Sequence, residues 1–286
     1  VDKTDKTESI ILKIRSIYDS LTKAEKKVAD VVLDKADEII YDSITELAEK
    51  CSVGETTIIR FCRKIGLSGY QEFKLLLARD LVVPEENLHE NISANDDLET
   101  LVQKIAADNI QVINNTTKIL SITQLENAVN AIINAQRIEI YGVGASSYTA
   151  FDAMYKFKRL GLFANTYPDA HMQAMSATTL SEKDVAIGIS FSGSTRDTVH
   201  SLEIAKKAGA KVICITNHAR SPITKYADIV LLTSIKETPL RSGALTSKIA
   251  QLYILDILYT AVAMRIKEKA LENINKTAEA VLDKLY

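Results

Sequence analysis

The stretch from Val185 to Ala210, VAIGISFSGSTRDTVHSLEIAKKAGA, leaves the chain few folding choices. Val185-Ala186-Ile187-Gly188-Ile189 is an unbroken apolar run, the mark of a strand covered on both faces. From about Arg196 to Ala208 the pattern turns helical, with Val199, Leu202, Ala205 and Ala208 on one face and Gly209 as the stop. Between them stand Ser190-Phe191-Ser192-Gly193-Ser194-Thr195, three serines and a threonine around one glycine. A helix that starts here offers free N–H groups and the positive end of its dipole. Gly193 lets the backbone approach closely, and the hydroxyls can donate to oxygens. Two readings follow: an anion cradle, most simply for a phosphate, or a serine-rich turn that caps a helix. No Lys follows the glycine as in G-K-[ST], which excludes a nucleotide P-loop.

The same alternation extends on both sides. Arg137–Tyr141 reads as a strand ending in Gly142-Val143-Gly144-Ala145-Ser146-Ser147, with a helix running to Gly161. A short strand follows near Ala164–Tyr167, then a helix over Asp169–Leu180, then strands at Lys211–Thr216 and Asp228–Leu232. Strands alternating with helices imply a parallel sheet covered on both faces. In a flavodoxin-like strand order, 2-1-3-4-5, the first and third strands are neighbours at the topological switch point, where ligands bind. Ser146, Ser147, Ser190, Ser192, Ser194 and Thr195 then converge on one crevice, with Gly144 and Gly193 shaping its two loops. Gly142 and Gly144 also fit half of a dinucleotide fingerprint, with Asp169 as the ribose acid, but Ser147 stands where the third glycine belongs. That alternative leaves Ser190–Thr195 without a purpose. Serines suit a compact phosphate and sugar hydroxyls better than a long dinucleotide.

Residues 1–81 read as all helix. Thr22 with Glu25, and Ser43 with Glu46, are two capping boxes. The second opens a short helix, Ile44–Lys50; Cys51-Ser52-Val53-Gly54 breaks it; a further helix, Glu55–Ile65, stops at Gly66. Two short helices joined by a tight break form the helix-turn-helix pattern. In the second, Ile58, Phe61, Cys62 and Ile65 share the face expected to bury, and Thr56, Thr57, Arg60, Arg63 and Lys64 fall on the remaining surface. Hydroxyls near the N-terminus and cations along the face are what reading DNA requires, although a solvated face also carries such residues. Residues 82–97, polar and acidic, form an expected linker, and a domain of residues 98–286 follows it. That domain opens with two helices, striped by Leu101, Ile105, Ile110 and Ile113 and by Leu125, Val129 and Ile132. Ile249–Met264, with Leu252, Leu255, Leu258 and Val262, suits either a dimer seam or packing on its own sheet.

The formal net charge of −2 confines any nucleic-acid surface to a local patch. Three scattered cysteines, Cys51, Cys62 and Cys214, point to a reducing cytoplasm, with Cys51 and Cys62 as small core residues. The four histidines show no metal-ligand spacing, and neither a metal nor a cofactor is expected. No apolar run is read as long enough to span a membrane.

LTKAEKKVADVVL, followed by SITELAEKCSVGETTIIRFCRKIGLSGYQEFKLLLARDL, resembles the N-terminal domain of the RpiR (MurR/RpiR) family of bacterial transcriptional regulators. The resemblance implies that the helix holding Thr57-Ile58-Ile59-Arg60-Phe61-Cys62-Arg63-Lys64-Ile65-Gly66 reads DNA. GVGASS, DAHMQAMSATTL, DVAIGISFSGSTRDT, AKKAGAKVICITN and SPITKYADIVL together resemble a SIS (sugar isomerase) domain over most of residues 120–260. In regulators this domain senses a phosphosugar. That implies Ser146, Ser147, Ser190, Ser192, Ser194 and Thr195 as ligand contacts, operator DNA as partner, and a homodimer or homotetramer. SIS domains also occur in isomerases, whose chemistry needs a base beside the carbonyl. Glu237 and His171 are the candidates, and neither matches the isomerase motif, so no catalytic residue is assigned. Arg241, Ser242, Ser247 and Lys248 either line the crevice or begin the last helices. The expectation is a non-enzymatic regulator, with a phosphosugar isomerase as the alternative.

Overall fold

The structure, a computed structural model, describes residues 9–81, 92, 95–235 and 245–284. Most of the expected linker, and Glu237, Arg241 and Ser242, lie outside the described residues. Contacts divide the chain into a unit ending at Ala106 and one beginning at Ala107.

The first unit is helical: α1 (Ile10–Ile17), α2 (Lys23–Asp34), α3 (Ala36–Ile39), α4 (Ile44–Lys50), α5 (Glu55–Lys64) and α6 (Tyr70–Leu81). Both capping boxes form. Thr22 and Ser43 accept from the amides of Glu25 and Glu46, whose carboxylates accept from the Thr22 and Ser43 amides in return. The break between α4 and α5 turns on Ser52, in the left-handed region at φ 51°. One core gathers all these helices, with Val28, Leu47, Ile58, Phe61, Cys62 and Phe73 at 0% exposure. The rings of Phe61 and Phe73 pack edge to face with centroids 6.1 Å apart, joining α5 to α6. Ser43→Ala is expected to cost about 1 kcal/mol, because the Glu46 amide at the start of α4 loses its acceptor while the Ser43 amide keeps the Glu46 carboxylate. Urea titration of the full chain, followed by helical signal, checks this as a lowered midpoint with an unchanged slope.

The second unit holds the later turns of α7 (Leu98–Ile119), then α8 (Ile122–Asn134), β1 (Ile138–Tyr141), α9 (Ala145–Arg159), β2 (Ala164–Thr166), α10 (Ala170–Thr178) and β3 (Val185–Ile189). It continues through α11 (Arg196–Lys207), β4 (Lys211–Thr216), β5 (Ile229–Leu232), α12 (Leu245–Ile266) and α13 (Glu268–Glu279). The five strands are parallel in the order β2-β1-β3-β4-β5, the expected 2-1-3-4-5. Alternation along each strand sorts the faces. Ile138, Ile140, Ile187, Ile189, Ile213 and Ile215 bury against α8, α9 and α12. Tyr141, Ala186, Val212 and Cys214 bury against α10 and α11.

Two expectations are corrected, and one pair of alternatives is decided. In α7, Ile105 and Ile110 are exposed, at 40% and 60%, and the residues it buries are Val112 and Thr116. Leu255, Leu258 and Val262 of α12 join the core of their own sheet, the second of the two readings offered for this helix. Finally, α12 is long and apolar enough, by length and composition, to cross a membrane, although no such run was expected; its buried face includes Ala250, Ile254 and Leu258.

Candidate functional site

Strands β1 and β3 pair with Tyr141 opposite Gly188, so their carboxyl ends are level. The loops Gly142–Ser147 and Ser190–Thr195 therefore leave the sheet side by side. A Cβ on Gly142 would meet Ser146 O at 2.9 Å and Ile189 O at 3.3 Å, a closeness only glycine permits. Gly144 takes φ 59° as the N-cap of α9, and Thr195 is the N-cap of α11. Neither cap makes a side-chain hydrogen bond to its helix, unlike those of α2, α4, α8 and α10. Two helix N-termini, one on each face of the sheet, thus open at one edge with their first amides uncapped by side chains.

The hydroxyls are held inside these loops. Ser190 is 2% exposed and shares a hydrogen bond with Thr195 Oγ1 at 3.0 Å. Ser192 Oγ accepts from the Ser194 amide at 3.2 Å, and Ser194 Oγ donates to Ser192 O at 3.2 Å. Gly193 sits at φ 61°, where a Cβ would lie 2.1 Å from Ser221 Oγ. Its carbonyl accepts from the Ile223 amide at 2.9 Å, seating the loop on the segment after β4. Ser147 Oγ donates to Gly144 O at 2.7 Å. Ser194 also lines a hollow of about 380 Å³ with Arg196, Asp197, His200 and Glu203, along the flank of α11.

Two glutamines that sequence reasoning missed pin the first loop from opposite faces. Gln173 of α10, fully buried, donates from Nε2 to Gly142 O at 2.9 Å and Tyr167 O at 2.7 Å. Gln251 of α12 donates to Ser146 Oγ at 3.4 Å while its Oε1 accepts from Thr149 Oγ1 at 2.9 Å. The only sequence signal was a polar residue within an apolar helical stripe. Asp169, the ribose-acid alternative, caps α10 by accepting from the Met172 amide at 2.9 Å. His171 is exposed, as expected of a helix-surface residue, and Ser247 is buried on α12 at 4%.

On α5, Ile58, Phe61, Cys62 and Ile65 bury as expected. Thr56, Arg60, Arg63 and Lys64 are exposed. Thr57 is not on the open surface: it is 8% exposed, because about 40° separates it from Phe61 around the helix. Its Oγ1 accepts from Arg60 at 3.4 Å. Lys64 also donates to Ser20 O at 2.6 Å, just before α2, and to Glu25 Oε2 of α2 at 3.2 Å. Burial works against the Glu25 carboxylate, but bonds from Thr22 and Lys64 prevail and hold it below its ordinary range. Burial alone is the main force on the thiols, pushing Cys51 up to about 11 and Cys62 and Cys214 to about 12, which leaves them unreactive.

A helix-turn-helix unit followed in the chain by a five-stranded parallel α/β sheet defines a class of protein, the helix-turn-helix regulators with a second, α/β domain. Residues 8–83 match the helix-turn-helix domain of the rpiR family, and residues 131–261 match the SIS domain. An uncharacterized HTH-type transcriptional regulator of Caldanaerobacter subterraneus is 40% identical over 272 residues, covering 95% of this chain and 96% of the relative. Another, from Thermotoga maritima, is 40% identical over 282 residues, covering 97% and 99%. The Vibrio vulnificus NanR protein, solved in complex with ManNAc-6P, superposes with a TM-score of 0.85 at 28% identity, covering 97% of this chain and 100% of that one. This chain belongs to the RpiR family of HTH-type transcriptional regulators, with a SIS domain behind the DNA-binding domain.

Proposed function

We propose that this protein is a cytoplasmic, homo-oligomeric regulator that binds operator DNA through α5 and is modulated by a phosphosugar held at the carboxyl edge of β1 and β3. The observation that carries the reading is the pairing of two helix N-termini, uncapped by side chains, with two hydroxyl loops on neighbouring strands. Ser146, Ser147, Ser190, Ser192, Ser194 and Thr195 supply the hydroxyls, and Gly144 and Gly193 supply the backbone conformations. A phosphate there replaces the bonds the loops make to themselves. On α5, Thr56, Arg60 and Arg63 meet the DNA; Thr57 steadies Arg60, and Lys64 fastens α5 to α2. The NanR structure with ManNAc-6P makes N-acetylhexosamine 6-phosphates the first effectors to try.

A thermal-shift screen with hexose 6-phosphates, N-acetylhexosamine 6-phosphates and inorganic phosphate tests the sensor. A ligand at a hundred times its dissociation constant adds about 2.7 kcal/mol. In a domain of this size that raises the midpoint by about 5–10 °C. Failure of every sugar phosphate to raise it removes the sensor reading.

A further inference from the structure

Phe191 interrupts the run of hydroxyls in the second loop, between Ser190 and Ser192. Its backbone is tied down: Phe191 O accepts from the Asn217 amide at 3.0 Å and from Thr216 Oγ1 at 3.2 Å. Its ring meets His218 edge-on at 6.2 Å and packs on a small apolar cluster of Val112, Ile235 and Ala250. These come from α7, the segment after β5, and α12. The cluster is separate from the two larger cores of the sheet.

Val112 matters because of what else α7 does. Over its 22 residues this helix buries Val112 and Thr116, one turn apart. Thr116 Oγ1 accepts from the Ser234 amide at 3.2 Å, beside Ile235 of the same cluster. Thus the buried hold on α7 is concentrated where the ring of Phe191 rests. Residues up to Ala106 of α7 group with the DNA-binding unit, and those from Ala107 with the sheet. A helix with two buried residues and an exposed hydroxyl pair, Thr117 with Tyr253 of α12, as its hold shifts at low cost, and a small packed cluster has discrete arrangements rather than a continuum.

We propose that Phe191 is the coupling residue of the effector loop: rearrangement of the serines around a bound phosphate re-seats its ring against Val112, and α7 carries the change toward the DNA-binding unit. This rests on the sensor reading above. A bound phosphate competes with the Ser190–Thr195 and Ser192–Ser194 bonds for the same groups, and Phe191 lies between the two serines concerned. On α12, the neighbour of Ala250 is Gln251, which holds Ser146 of the first loop. The same turn of α12 therefore touches both loops.

The test measures operator affinity of the full chain by fluorescence anisotropy, with and without saturating N-acetylmannosamine 6-phosphate or whichever sugar phosphate in the screen shifts the protein most. Phe191→Ala and Val112→Ala are expected to bind that sugar phosphate, and ligand-free operator, within about threefold of wild type. The change in operator affinity caused by ligand, about 5–150-fold in coupled systems, is expected to fall to near unity in both. Phe191→Leu, which restores apolar volume, is expected to recover most of it. Wild-type response in both alanine variants overturns the coupling. If Phe191→Ala loses ligand binding, Val112→Ala decides alone, since Val112 lies on α7 outside the hydroxyl loops; its unaltered response overturns the coupling. A wild-type protein that binds none of the sugar phosphates overturns the sensor reading instead, and the coupling with it.

Discussion

Arg60→Ala is expected to abolish specific operator binding while leaving the fold intact. Arg60 is exposed on α5, one turn after Thr57, whose Oγ1 takes a hydrogen bond from its guanidinium. A bidentate contact to guanine is worth about 1–3 kcal/mol, or about 5–150-fold, and a symmetric dimer on two half-sites loses it twice. The side chain supports nothing in the core of the first unit, which is built from Ile58, Phe61 and Cys62 on the opposite face. Gel-shift titration at fixed salt reads the affinity, and the thermal midpoint reads the fold. Unchanged affinity for operator sinks this role for Arg60. The salt dependence separates two modes: a phosphate contact lowers the slope by about one, whereas a base contact leaves it nearly unchanged and relaxes specificity.

What could be read from the sequence divides along physical lines. Both capping boxes were legible because a Ser or Thr and a Glu three residues on need no information beyond four consecutive positions. The strand order was legible because parallel strands joined by helices admit few topologies. The α5 core face was legible from periodicity, but its edge was not. Thr57 lies on the boundary of the apolar arc, and only packing decides which side such a residue falls. Lys64 is exposed as expected, but its pairing with Glu25, 39 positions earlier, could not be read from the helix alone. Gln173 and Gln251 were missed for the same reason: an amide in a helix announces nothing until a distant loop presents its carbonyl or hydroxyl. In α7 the periodicity was real, yet an apolar stripe shows only that a face is apolar and not what covers it.

Ser190→Ala combined with Ser192→Ala is expected to leave operator binding intact and make it indifferent to sugar phosphate. Ser190 carries the buried hydroxyl of its loop, paired with Thr195 at the N-cap of α11. Removing its hydroxyl leaves Thr195 half-buried, where water can replace the lost partner. Ser192 is also half-buried, and its loss frees one backbone amide, that of Ser194, next to a partly open helix end. Neither change opens a cavity in the sheet, because Ile187 and Ile189 remain the packing residues of β3. The loop backbone is kept by bonds the substitutions do not touch: the Gly193 amide to Ser190 O at 3.1 Å, and the Ile223 amide to Gly193 O at 2.9 Å. The variant therefore loses hydroxyl donors to an incoming phosphate while keeping the shape of the cradle. A ligand shifts an equilibrium only by its differential affinity for the two states, so a cradle that no longer binds cannot shift it. The coupling lost is about 1–3 kcal/mol, the full response of the wild type. Operator affinity of wild type and double variant, each with and without saturating sugar phosphate, gives the answer. If the double variant still responds as wild type does, the serine loop is not the sensor, and the anion-cradle reading of Ser190–Thr195 gives way to that of a turn that starts α11.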